Sequence, residues 1–346
     1  MNKNSPFRVR LSLLWQHVVV WAFRVSVLPL QKIPRRSALR FGEFLGTLGY
    51  RIARSKRRRA VLNLHLAFGD TMTLAEREQT TRQVFQHFGR SVTDFLRAPM
   101  LSPADLEALV AVEGWEHVEA ARADGEPILL VTAHIGNWEI LGRWLAQVQR
   151  LPLTVVAQDP KSPALAAQVK QMREQNGFSV LSKGGSARTL LQTLRRREVI
   201  LLLNDQNSGD LFAPFFGIPA GTVAGPAALA YHAKASLIPL YCLQRRDSSF
   251  LVRCSPPIPL QPSISKEDEV YRITAELNRT LEAVIREFPD QWLWLHNRWK
   301  SAFDPANRER AWGMCATEVS FETAYARWSG KPLASAPDTL QPGKMA

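Results

Sequence analysis

Ile128-Leu-Leu-Val-Thr-Ala-His-Ile-Gly-Asn-Trp-Glu139 begins as an unbroken apolar run and ends in polar residues. Ile128 to Val131 reads as a strand covered on both faces. The run stops at Thr132, Ala133 and His134, and Gly136 breaks it. Asn137 is placed to cap a helix carried by Trp138, Ile140, Leu141, Trp144 and Leu145. A histidine therefore sits at the carboxyl end of a strand, and a carboxylate sits in the first turn of the helix after it. In open α/β sheets that edge is where ligands bind.

The break makes chemical sense of the spacing. On one continuous helix, residues five apart point roughly 140° away from each other. With His134 in a loop and Glu139 just inside the helix, the two side chains are expected to meet. A carboxylate on one imidazole nitrogen fixes the tautomer and stabilises the imidazolium. The other nitrogen is then free to take a proton from a hydroxyl. The spacing alone is weak: seven His and 31 Asp and Glu in 346 residues would give fewer than one such pair by chance. A second match, His65-Leu-Ala-Phe-Gly-Asp70, follows a basic helical segment and no strand, so His65 is read as structural.

Outward from this stretch, strand and helix signals alternate from Ser102 onward. Apolar runs recur at 109–112, 153–156, 178–181, 199–203, 237–243 and 250–254, with helical patterns between them. The alternation predicts an α/β fold with a mostly parallel central sheet flanked by helices. The last run follows the Arg245-Arg246-Asp247-Ser248 turn and is expected to pair antiparallel. Residues 267–288 predict one long closing helix stopped by Pro289. Before the alternation, residues 34–100 read as helices, with glycines at 42, 46 and 49 in the first of them. The chain thus divides into an amino-terminal apolar and basic helix over 1–33, a body over 34–303 (helical to 100, α/β from 101) and a loosely ordered tail over 304–346.

Charge is unevenly placed. Of the net +13, residues 1–60 hold fourteen Lys and Arg against the single acid Glu43, so the remainder balances to zero. A basic amino terminus on a neutral body suggests docking to an anionic surface. The apolar stretch from Leu11 to Leu30, interrupted by Gln16, His17 and Arg24, favours a membrane interface over nucleic acid. Three widely spaced cysteines, Cys242, Cys254 and Cys315, fit a reducing compartment, and no motif indicates a metal or a cofactor. There is no H-E-x-x-H, no G-x-S-x-G, no Walker loop and no G-x-G-x-x-G.

A second buried strand, Val199 to Leu203, ends in Asn204, Asp205, Gln206 and Asn207. If it runs parallel to Ile128–Val131, Asp205 and Gln206 emerge beside His134. The segment 212–226 is apolar yet rich in Gly and Pro, and is expected to be irregular backbone lining a greasy groove with Phe215 and Phe216. Arg188 and its neighbours on a helix are candidates for phosphate or an acidic carrier protein. Gln291 to Lys300 mixes aromatics with Arg298 and Lys300, an interfacial composition, and includes His296.

These blocks resemble, in order, those of the late acyltransferases of lipid A biosynthesis, the lauroyl/myristoyl acyltransferase family. The resemblance rests on His134-Ile-Gly-Asn-Trp-Glu139, Asn63-Leu with Ala67-Phe68, Asp205-Gln206-Asn207, Pro214-Phe-Phe-Gly-Ile-Pro219 with Thr222, and Gln291-Trp-Leu-Trp294 with Arg298-Trp-Lys300. It covers about residues 10–303. It implies an acyltransferase domain over the body, at the cytoplasmic face of a bacterial inner membrane. Acyl carrier protein or coenzyme A would be the donor, and a hydroxyl of a lipid A precursor the acceptor. It implies His134 as base and Glu139 as its partner, with Asn137, Asp205, Gln206 and Arg188 contributing to substrate binding. A lysophospholipid or aminolipid acceptor, or a non-catalytic peripheral membrane protein, are the competing expectations.

Overall fold

The computed structural model describes residues 29–157, 162–182, 187–315 and 317–329. The anchoring helix expected within residues 1–33 lies mostly outside them. Among the described residues no helix is long and apolar enough to cross a membrane.

Three helices lead into the sheet: α1 (Arg35–Ile52), α2 (Arg54–Phe68) and α3 (Leu74–Arg97). The glycines of α1 let it cross α3 with backbones nearly touching. A Cβ at Gly46 would lie 2.2 Å from the carbonyl of Phe85, and one at Gly89 would lie 2.1 Å from that of Gly42. Thr73 and Glu76 close a capping box at the start of α3. Ser102 and Asp105 do the same for α4 (Pro103–Leu109).

From there the chain alternates. β1 (Val110–Glu113), α5 (Glu116–Ala123), β2 (Ile128–Thr132), α6 (Trp138–Gln147), β3 (Leu153–Ala157), α7 (Pro163–Gln175), β4 (Ser179–Ser182), α8 (Ala187–Arg195) and β5 (Val199–Leu203) come first. A hairpin of β6 (Leu211–Phe215) and β7 (Ile218–Thr222) follows. Then come α9 (Gly225–Ala233), β8 (Ser236–Gln244), β9 (Phe250–Cys254) and α10 (Lys266–Glu287). The main sheet runs β1-β9-β8-β2-β5-β3-β4 and is parallel throughout except for the β8–β9 pair. β2 is buried at all five positions because both faces are covered. Ile128 and Leu130 face a core shared with α4, α5 and α6, while Leu129 and Val131 face one shared with α8, α9 and α10.

Two expectations change. The Gly- and Pro-rich segment at 212–226 is not irregular: most of it is the β6–β7 hairpin, with Pro214 opposite Pro219. A two-stranded sheet has only edge strands, which tolerate prolines that cannot donate. Its two-residue turn, Phe216-Gly217, takes positive φ at both positions, as a tight hairpin requires. The segment after 304 is not a loose tail throughout. α11 (Arg308–Met314) and α12 (Phe321–Ser329) pack onto the body, with Ala311 and Ala324 fully buried.

Candidate active site

Strand register positions the site. β2 and β5 pair parallel with Thr132 opposite Leu203. His134 and Asp205 each lie two residues further on, so both emerge at the same edge and meet. The His134 imidazole donates from Nδ1 to Asp205 Oδ1 at 2.8 Å. Asp205 Oδ2 accepts the backbone N–H of His134 at 3.0 Å and the indole N–H of Trp292 at 2.9 Å. Burial by itself raises the Asp205 carboxyl. The charge and hydrogen bond of His134, with the Trp292 and backbone donors, outweigh it and hold the group at about 2. Asp205 is therefore a fully buried, fully satisfied carboxylate. It fixes the imidazole with its Nε2 lone pair outward.

Nε2 faces a cavity of about 670 Å³. Its polar residues include Glu139, Arg173 and Gln206, with the Gln206 amide 3.4 Å from Nε2. The Trp138 ring stands edge-on to the imidazole, centroids 5.0 Å apart. Elsewhere the wall is largely hydrocarbon, from Val155 and Val156 on β3, Leu201 on β5, Leu190 and Leu191 on α8, and Leu229 on α9.

Glu139 is not the partner of His134. Its two oxygens are taken by Arg173 of α7, at 2.5 and 3.2 Å. The break at Gly136 does bring both residues to one cavity, but Glu139 points along the wall to the neighbouring helix. The imidazole is already anchored from the sheet. Asn137 is buried and caps α6 by accepting the Ile140 N–H at 3.1 Å, so it shapes the loop from outside the cavity. Arg188 is exposed on α8 and does not line the cavity. Phe215 and Phe216 do not line it either. Strand alternation turns Phe215 into a cluster with Trp292 and Trp299, and Phe216 packs on Phe68 and Trp294.

Arg298 is no interfacial cation. It is fully buried and staples the hairpin, donating to the Gly221 carbonyl at 2.5 Å and Thr222 Oγ1 at 2.7 Å. Burial brings its guanidinium down to about 10. His296 Nε2 accepts the backbone N–H of Asn207 at 2.8 Å. Burial is the main reason its ring is pushed down to about 4; nearby Arg298, His134 and Lys56 add to this, against the pull of Asp205.

The backbone of the loop from His134 to Asn137 is tied at each residue. Leu293 N–H donates to the His134 carbonyl at 2.9 Å, Gly136 N–H to the Gln291 carbonyl at 3.1 Å, and Asn137 N–H to the Cys242 carbonyl at 2.7 Å. Ile135 forms a bridge with Trp292. The Gly136 carbonyl accepts from His87 Nε2 at 2.9 Å and Ser91 Oγ at 3.2 Å, both on α3. Gly136 has φ +60°, and a Cβ there would lie 1.9 Å from the Cys242 carbonyl oxygen. Arg173, Trp138, Trp292, His87 and Ser91 were not singled out from sequence for these roles. Trp138 and Trp292 lie inside noted motifs, whereas Arg173 sits in an ordinary amphipathic helix with no distinguishing signal.

Residues 6–301 match the profile of the bacterial lipid A biosynthesis acyltransferase family. The chain belongs to that family. The acyltransferase is 24% identical over 280 residues to the lipid A biosynthesis lauroyltransferase of Escherichia coli (strain K12), covering 78% of this chain and 87% of the relative. It is 23% identical over 285 residues to the lipid A biosynthesis acyltransferase of Haemophilus influenzae, covering 81% and 87%. A phosphatidylinositol mannoside acyltransferase of Mycobacterium tuberculosis is 28% identical over 233 residues, covering 64% and 71%. Among the described residues of the acyltransferase, no group of three His, Cys, Asp or Glu is arranged to hold a metal ion.

Proposed function

We propose that this acyltransferase moves a fatty acyl chain from a carrier thioester, on acyl carrier protein or coenzyme A, to a hydroxyl of a lipid A precursor. The observation that carries the reading is an imidazole locked by a buried carboxylate, with its other nitrogen, approached by the Gln206 amide at 3.4 Å, facing a largely apolar cavity. His134 Nε2 takes the proton of the acceptor hydroxyl as its oxygen attacks the thioester carbonyl. The tetrahedral intermediate then collapses, the C–S bond breaks, and the imidazolium returns the proton to the leaving sulfur. Asp205 steadies the imidazolium between the two steps. No covalent enzyme intermediate is needed. The hydrocarbon walls suit the acyl chain and exclude water that would otherwise hydrolyse the thioester. The Glu139–Arg173 pair sits on the polar wall, where it suits the acceptor's hydroxyl-rich head.

The same reading puts the enzyme at the cytoplasmic face of a bacterial inner membrane. Its support is the outer face of α1, where Phe41, Phe44, Leu45, Leu48 and Ile52 recur at helical spacing and stay exposed, Phe44 at 61% and Ile52 at 69%. The opposite face of the helix, with Ala38, Leu39, Gly42 and Gly46, is buried. The mycobacterial relative favours a second reading, the same chemistry on another glycolipid hydroxyl. Mass spectrometry of lipids from cells with and without the enzyme decides. An acyl-sized mass difference on lipid A supports the first reading, the same difference on another lipid supports the second, and no acyl difference on any lipid rejects both.

A further inference from the structure

The second His-x4-acid stretch lies on a groove of its own. α2 and the start of α3 enclose about 380 Å³ lined by Arg57, Arg58, His65 and Arg77 with Val61, Leu62, Leu74 and Glu78. Positions 58, 61, 62 and 65 recur at helical spacing and so present one face of α2. Several arginines elsewhere find acids: Arg173 takes Glu139, Arg272 takes Glu269, and Arg253 takes both Glu113 and Glu287. Among the described residues no carboxylate comes within salt-bridge reach of Arg57, Arg58 or Arg77. Glu78 is the one acid in the wall, and Asp70 lies nearby.

Arg77 is held in place. Its Nη1 bonds His65 Nδ1 and approaches the Gly69 carbonyl at 3.4 Å, while its Nε is buried without an acceptor. Burial, then Arg77 and Arg327, keep His65 below the usual imidazole range, against the Gly69 carbonyl and Asp70. The ring therefore props the guanidinium as a neutral acceptor. Arg58, Arg57 lying over the Tyr50 ring at 5.2 Å, and the unpartnered Nε of Arg77 set guanidinium donors around one small hollow, a receptor for a phosphate, which takes paired N–H donors. The apolar wall marks what the phosphate is attached to. The exposed apolar face of α1 ends at Ile52, and the basic run Arg54–Arg59 begins α2 directly after it. Hydrocarbon-facing surface followed by cations is the layering of a lipid interface.

We infer that this groove binds a phosphate-bearing amphiphile, with Arg57, Arg58 and Arg77 on the phosphate and Val61, Leu62 and Leu74 along the first methylenes. It shares no lining residue with the catalytic cavity, so it stands independently of the acyl-transfer reading. The test is calorimetric titration of the full-length protein with dihexanoyl phosphatidic acid, dihexanoyl phosphatidylcholine and inorganic phosphate. The phosphatidic acid is expected to bind best, and inorganic phosphate to displace it only in large excess. Arg77→Lys and Arg58→Lys keep the charge but lose the fork, and each should weaken binding by about fivefold to tenfold. Arg40→Lys on exposed α1 and His134→Ala should leave it unchanged. Thermal melts show that the variants are folded, and Arg58, which makes no contact that holds the fold, guards against loss through misfolding of Arg77→Lys. Wild-type binding by both lysine variants overturns the inference. So does equal displacement by inorganic phosphate, or loss of lipid binding in His134→Ala.

Discussion

His134–Glu139 and His65–Asp70 share one spacing and almost nothing else. The first straddles the end of a buried strand, and the neighbouring strand supplies a buried carboxylate to its imidazole. The second runs through the end of a helix into the turn after it, and its imidazole is held by an arginine. A carboxylate on Nδ1 makes a base that can carry a proton. A guanidinium on Nδ1 makes a neutral prop. What surrounds the histidine decides its chemistry, and in neither stretch is it the acid five residues on.

The sharpest way to break this contrast is to remove each ring. His134→Ala is expected to lower acyl transfer by roughly 10² to 10⁴-fold, the usual loss when a general base is removed. His65→Ala should leave transfer nearly unchanged when both are measured on a soluble carrier thioester and a detergent-dispersed acceptor. Comparable losses in the two variants would erase the distinction.

The next test separates the two carboxylates near His134. Asp205→Asn should lower kcat by a similar factor and shift the pH profile of kcat, because it acts through the imidazole. Glu139→Gln should also reduce transfer, since it frees Arg173 in the cavity wall, but without moving that profile. A shifted profile in Glu139→Gln would return the partner role to Glu139.

The loop that carries His134 offers a stability test. Gly136→Ala must strain a left-handed backbone and push against a carbonyl, and should cost on the order of 1–3 kcal/mol or more by chemical denaturation. Acid should strike the same region. Burial is the main reason the rings of His87 and His296 are pushed down to about 4 from 6.5. The unfolded chain binds more protons than the folded one between those values, so stability rises with pH across the window. It is lost as pH falls from about 6.5 to about 4. For fully buried His87 this amounts to roughly 3 kcal/mol. A His87→Gln variant, measured by denaturation at several pH values, should show a shallower loss. The smallest effect belongs to Arg188→Gln on the exposed face of α8, expected to stay within about 0.5 kcal/mol of the parent and to leave transfer intact.

Much of this architecture was legible in the chain. The unbroken apolar runs at 128–131 and 199–203 announced central parallel strands, because only strands covered on both faces lack alternation. The polar residues that closed each run located the edge where His134, Asp205 and Gln206 meet. The partner of the imidazole was harder. Nearness in sequence favoured Glu139, whereas the choice was made by the register of two strands separated by seventy residues and by an arginine on a third element. Phe215 and Phe216 misled for a similar reason. Gly and Pro near aromatics suggested loose backbone around a ligand, but a two-stranded hairpin tolerates both and turns the rings into the core. Arg298 looked interfacial from its neighbours, yet its guanidinium is spent inside the fold, on the Gly221 carbonyl and the Thr222 hydroxyl of the hairpin.

Gly136 carries a consequence for how such an enzyme can change over generations. No side chain fits between its Cα and the Cys242 carbonyl, so a lineage that keeps this loop is expected to keep glycine there. The opposite wall is built from Leu190, Leu191 and Leu229, which exchange among aliphatic residues at little cost. Variation should therefore accumulate along the aliphatic wall of the cavity and stay out of the turn that carries His134. New lipid preferences can arise by drift in one half of the hollow while the reaction itself is held constant by the other.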